Sequence, residues 1–242
     1  LIEPLEPTRG LRLLISPVLE VTDARWRPDT TGGRPDAPLL TPPNGDTPPA
    51  PDEPVAFTGE RLHFVQERHD RRLQDDRFEP WVTVTLPRTV AAGERFILEL
   101  AYEGKLIKRL PGTNDFLLKD TLYWRPRHPD TRTNRLDLTF RVPERYRVAS
   151  AGTLAEERVE DDTRIMRWVT SEPVRSMAFH MGELDVTEVE RDAPPAMTIY
   201  GNDNHVGLAP RNREKTVDDL SDSIRLYTQY FGPFPFESLH VS

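Results

Sequence analysis

The side chains able to do chemistry are six histidines (His63, His69, His128, His180, His205 and His240) and a large set of carboxylates, with no cysteine among them. A zinc peptidase helix places two imidazoles on one face, with a glutamate beside the bound water, in the run His-Glu-x-x-His. No such run occurs. His63 and His69, in "HFVQERH", are six apart, which puts both on one face of a strand without making a ligand pair. His180 and Glu183, in "HMGE", fall on opposite faces of a strand, and His128-Pro129-Asp130 reads as a turn. Without cysteine, thiol catalysis, disulfides and Cys-zinc sites are excluded. There is no Gly-x-Ser-x-Gly elbow and no phosphate-cradling glycine loop. Ser150, in "ASAG", sits among small residues that suit a tight strand end. The carboxylate pairs Asp75-Asp76, Asp161-Asp162 and Asp218-Asp219 fall in turns or on a polar helix face, where solvation accounts for them. One cluster is left, "LYWRPRHPD". Tyr123, Trp124, Arg125 and Arg127 could stack and hold a carboxylate, or their stems could cover a sheet edge.

The elements that would position these residues are mostly strands. "LRLLISPVLEVTDARWR" (Leu11 to Arg27) is rich in Val, Leu and Ile, with Pro17 marking a break or an edge. Pro28 to Pro54 is dense in Pro, Gly and Asp and keeps no apolar period, which predicts a long surface loop. From Arg61 onward, "LHFVQE", "WVTVTL", "RFILELAYEG", "RLDLTFRV", "YRVASAG", "TRIMRWVT", "VRSMAFHMGELDVTEVE" and "MTIY" are short, β-rich and often alternating. Val82, Val84 and Leu86 share one face, as do Phe96, Leu98 and Leu100, and Leu136, Leu138 and Phe140. One apolar face per strand predicts antiparallel sheets packed as a sandwich.

Near residue 205 the period changes. Val217, Leu220, Ile224, Tyr227 and Phe231 recur every three or four residues, the stripe of an amphipathic helix, with Pro210 suited to its first turn and Gly232-Pro233 to its end. Such a stripe needs a partner, and most of it is expected beyond Ser242. Leu1 in place of an initiating Met leads us to expect an upstream segment as well.

Composition narrows the partners. A net charge of −8, with arginines interleaved among Asp and Glu, argues against nucleic acid. No stretch approaches the ~20 apolar residues of a membrane helix. The 242 residues are enough to bury a substantial core.

Several of these pieces, in order, resemble the N-terminal region of the M1 family of zinc aminopeptidases. They are "GERFILELAYEGKL", "LYWRPRHP", "LDLTFRVPERYRVASAGTL", "RWVTSEPVRSMAFHMGELDV" and "SIRLYTQYFGPFPFESLHV", together covering roughly residues 57–242. The resemblance implies a mainly β chain. Residues 1–203 would form an antiparallel β-sandwich domain carrying the 28–54 Pro-rich loop, and residues 204–242 a linker, helix and first strand opening a truncated, thermolysin-like α/β catalytic domain. It implies that a Gly-x-Met-Glu-Asn stretch and the His-Glu-x-x-His helix follow, that zinc belongs to the full-length parent, and that this chain alone holds no cofactor and is inactive. The partners implied are the chain's own missing catalytic domain and, in the parent, peptide N-termini. An acidic or Gln side chain of the β domain helps to hold the peptide amine in that family; in the corresponding window, "NDFLLKDT", Asp115 and Asp120 are the candidates. The Pro-rich insertion departs from the family pattern. The alternatives are a non-enzymatic β-sandwich binding or adaptor module, and a family member that has lost catalysis.

Overall fold

The computed structural model describes residues 1–30, 57–67, 81–129, 133–189, 195–203, 209 and 212–242. The expected Pro-rich loop from residue 31 onward, His69, His205 and Pro210 lie outside the described residues. The chain divides into two compact units: Leu1–Leu106 with Thr121–Arg132, and Ile107–Asp120 with Thr133–Ser242.

The first unit is built from β1 (Thr8–Leu14), β2 (Leu19–Pro28), β3 (Glu60–Arg61), β4 (His63–Gln66), β5 (Trp81–Val90) and β6 (Phe96–Gly104). They form two antiparallel sheets, ordered β1-β5-β4 and β3-β2-β6. The run from Leu11 to Arg27 breaks around Pro17, as that proline predicts. Alternation does the packing. Val82, Val84 and Leu86 of β5 are all buried and meet Val21 and Ala24 of β2 and Phe96 of β6 in one core. Gln66 joins the sheets, accepting from Val21 N at 2.9 Å and donating to Leu19 O at 2.7 Å. Glu99 is buried on β6 because Arg27 Nε, at 3.0 Å, and Gly59 N, at 3.2 Å, satisfy its carboxylate; a buried charge without such partners would be costly.

The second unit contains β7 (Phe116–Leu118), β8 (Asp137–Pro143), β9 (Arg147–Ser150), β10 (Thr153–Glu160), β11 (Thr163–Val169), β12 (Phe179–Gly182), β13 (Asp185–Val189), β14 (Ala196–Gly201), α1 (Arg213–Phe231) and β15 (Ser238–Val241). Sheets β10-β11-β8 and β7-β12-β9 are antiparallel. In the third sheet, β13 and β14 are antiparallel and β15 joins the free side of β14 in parallel. Trp168, Ile165, Met166, Val148 and Ile199 are buried at its core, and the Phe140 and Phe179 rings meet edge-on at 4.9 Å.

The expected class holds: antiparallel sheets dominate the described residues, with one helix near the C-terminal end. Three details differ from the sequence expectation. The strand-like run Val174–Glu190 is two strands in different sheets, β12 and β13, broken at Glu183-Leu184. β10 and the short β7 were not expected. And β15 extends an existing sheet, through a pairing with β14 that spans about forty residues of sequence.

Candidate functional site

α1 forms where the apolar period is 3.6 and ends at Gly232, whose φ of 86° only glycine adopts cheaply and whose N–H donates to Thr228 O at 3.1 Å. The Arg213 guanidinium bonds the Thr187 hydroxyl of β13, fastening the start of the helix. Along the predicted stripe, Val217, Leu220 and Ile224 are half-buried, but no residue of α1 is fully buried. The last two turns are bare. Leu226 is 51% exposed, Tyr227 61%, Tyr230 74% and Phe231 82%, with the Tyr227 and Phe231 rings 6.0 Å apart. Scattered exposed apolar residues are ordinary, but several large ones side by side mark a contact surface.

The two carboxylates singled out from sequence lie at either end of β7. Asp115 has no exposed surface, and its carboxylate accepts from Asn202 Nδ2 at 3.1 and 3.4 Å. Gly182 of β12 passes so close that a side chain there would collide with Asp115 Oδ1. Asp120 opens a 3-10 turn, Asp120–Leu122, and is 9% exposed.

The aromatic and arginine cluster runs along the end of β1 in the first unit. Leu14 and Arg127 exchange backbone hydrogen bonds at 2.8 and 3.0 Å, and Ser16 N donates to Tyr123 O at 2.8 Å. Tyr123 takes a positive φ of 50°, and the Arg127 guanidinium lies 4.5 Å over its ring. The cluster thus stacks Arg127 on Tyr123 and pairs through its backbone with the end of β1. Among the described histidines, His63 and His128 are exposed and His180 is buried in β12. His240, on β15, packs edge-on against Trp168 with ring centres 4.8 Å apart and lies 5.9 Å from the ring of Tyr200. Burial lowers the His240 pKa, with the Gly152 carbonyl pulling the other way, and burial pushes the Tyr200 hydroxyl up to about 12. Sequence reasoning counted His240 among the histidines without giving it a partner, and did not mark Asn202. The usable signal was Gly182, a glycine within a strand, which often means that another group comes close. Among the described residues, no three His, Asp or Glu side chains come together as a metal site.

No protein-family model matches the chain, and no curated protein does. Solved structures do match. An M1 zinc metallopeptidase from Deinococcus radiodurans is 17% identical with a TM-score of 0.64, covering 97% of this chain and 48% of its own. A substituted form of that metallopeptidase matches at 18% identity and a TM-score of 0.64. A two-domain M1 zinc metallopeptidase bound to L-tryptophan matches at 18% identity and a TM-score of 0.62, over 97% of this chain and 49% of its own. The chain thus shares their fold and spans about half the length of these structures.

Proposed function

We propose that this chain is the N-terminal, non-catalytic part of a zinc-dependent aminopeptidase. In this reading residues 1–203 are the β portion that caps the substrate cleft, and residues 204–242 open a thermolysin-like catalytic domain. The observation that carries it is the bare aromatic end of α1, Tyr227, Tyr230 and Phe231, on a chain whose fold corresponds to about half of each matched metallopeptidase. Helical stability in proteins comes mostly from packing an apolar face, so this face is the seat of the rest of the catalytic domain. The described residues do not supply a zinc site; in this reading the metal's ligands and the chemistry of water activation belong to the remainder of the catalytic domain. Of the two carboxylates, Asp115 has no exposed surface while Asp120 keeps 9%, which makes Asp120 the better candidate for contact with a peptide amine.

A second reading, an adaptor module, draws on the same face, which would then receive another protein. The discriminating experiment is to sequence the gene beyond the codon for Ser242 and to assay its product on aminoacyl amides with zinc. A His-Glu-x-x-His run with a downstream Glu, and zinc-dependent turnover that residues 1–242 alone lack, supports the peptidase reading. A reading frame that closes near Ser242 favours the adaptor, and robust turnover by residues 1–242 refutes the non-catalytic assignment.

A further inference from the structure

His240 sits at the joint that holds the C-terminal strand. β15 has one sheet neighbour, β14, and pairs with it through Ala196↔Ser238, Met197↔Leu239, Thr198↔His240 and Ile199↔Val241. The segment is also tied by an Ala196 N–H to Glu237 O bond of 2.8 Å and a Ser238 hydroxyl donating to Gly152 O at 3.2 Å. Ring packing adds to these. The imidazole lies perpendicular to the ring of the fully buried Trp168, on β11, at an interplanar angle of 89°. Both ring nitrogens are shielded from solvent, no side chain hydrogen-bonds them, and the Gly152 carbonyl is the one backbone group that favours their charged form. A neutral imidazole tolerates this site; an imidazolium brings a charge and two donors into it.

We propose that His240 is an acid-sensitive latch: its neutral ring holds β15 on β14 against Trp168, and its protonation releases the strand. The groups facing the ring do not replace the lost solvation. From β14 comes Tyr200, whose hydroxyl is neutral over this range. β11 presents the indole of Trp168, and the turn between β9 and β10 presents the Gly152 carbonyl, already taken up by Ser238. His180 of β12, with Glu172, Glu237 and the terminal residue Ser242, lines the same cavity of about 410 Å³, and burial outweighs the other influences on His240. Glu157, Glu188 and Arg147 act on Tyr200 instead.

The sign follows from linkage. In the released strand His240 has its ordinary value of 6.5, and in the docked strand burial lowers it. Above 6.5 both forms are neutral and docking is at full strength. Below 6.5 the released form takes up a proton first, and docking weakens until the pH reaches the lowered docked value.

The test uses residues 1–242 as one chain. NMR titration of the His240 ring is expected to give a midpoint below 6.5. Hydrogen-exchange mass spectrometry, corrected for intrinsic rates, is expected to show protection of residues 238–242 and 196–201 falling severalfold from about pH 7 to about pH 5, the range in which histidine titrates, while β8 and β11 stay protected. His240→Phe keeps a ring against Trp168 and should make that protection independent of pH; His240→Gln serves if the Phe variant does not fold. A His240 midpoint at or above 6.5, as a favourable cation–π contact with Trp168 would produce, overturns the proposal. So does an acid-induced loss of protection that persists in the variant.

Discussion

Gly182→Ala tests how the second unit is held together around Asp115. The backbone at Gly182 needs no unusual φ, so the glycine is there for space. A Cβ at this position would lie 2.1 Å from Asp115 Oδ1, 3.1 Å from its Cγ and 3.2 Å from Leu184 Cδ2. Asp115 has no exposed surface into which it could swing. Its carboxylate must therefore move away from Asn202, giving up bonds of 3.1 and 3.4 Å. A hydrogen bond to a charged group contributes about 1.5–3 kcal/mol, and forced overpacking costs about 1–3 kcal/mol. Together these predict a loss of about 3 kcal/mol, or about 10 °C in Tm for a domain of this size. Trp168 is the one tryptophan of the second unit and is fully buried, so its fluorescence during urea unfolding, read in a background with Trp26, Trp81 and Trp124 changed to Phe, reports that unit. The decisive comparison is with Asp115→Ala, itself destabilising because it removes two of the bonds the Asn202 amide makes. In that background Gly182→Ala should cost less than about 0.5 kcal/mol, since the colliding carboxylate is gone. A single-variant loss below about 1 kcal/mol, or strictly additive effects in the pair, would refute the reasoning.

The two-residue turn between β10 and β11 holds Asp161 and Asp162 at φ of 44° and 61°, both in the left-handed region. Asn-Gly fits such a turn better, so the double change Asp161→Asn, Asp162→Gly should raise unit stability by about 1 kcal/mol by urea titration; a decrease contradicts the turn assignment. Arg88 bonds both carboxylate oxygens of Glu94, with Ala91 N adding a third bond, and these lower its pKa to about 2. A carboxyl NMR titration should therefore find Glu94 ionised well below its ordinary value of 4.5, the ion pair persisting until the pH falls to about 2, and Arg88→Ala should return the midpoint toward 4.5. On the bare face of α1, Leu226→Glu with Tyr230→Glu should change the stability of residues 1–242 by no more than about 0.5 kcal/mol, as thermal unfolding would show, yet abolish activity in a longer, catalytic gene product.

Where a residue's role follows from its own period, the sequence was sufficient. The alternation of Val82, Val84 and Leu86 marks a buried strand face, and the spacing from Val217 to Phe231 marks a helix whose last two turns the structure leaves bare. β10 was hidden because "TLAEERVE" carries charge on both faces: Arg158 pairs with Glu156 and Glu160 along the strand, and Arg164 of β11 reaches Glu157 across it. The break between β12 and β13 left no mark, because Leu184 is buried and continues the apolar run. The surroundings of Asp115 and His240 come from partners far away in sequence, Asn202 for one and Trp168 for the other, and no local pattern encodes such pairings.

The central claim is that the aromatic end of α1 is a face awaiting the remainder of a catalytic domain. Hydroxyl-radical footprinting of Tyr227, Tyr230 and Phe231, in residues 1–242 and in the longer gene product, tests it most directly. The account predicts strong labelling of all three in the short chain and protection in the long one. Equal labelling in both would contradict it.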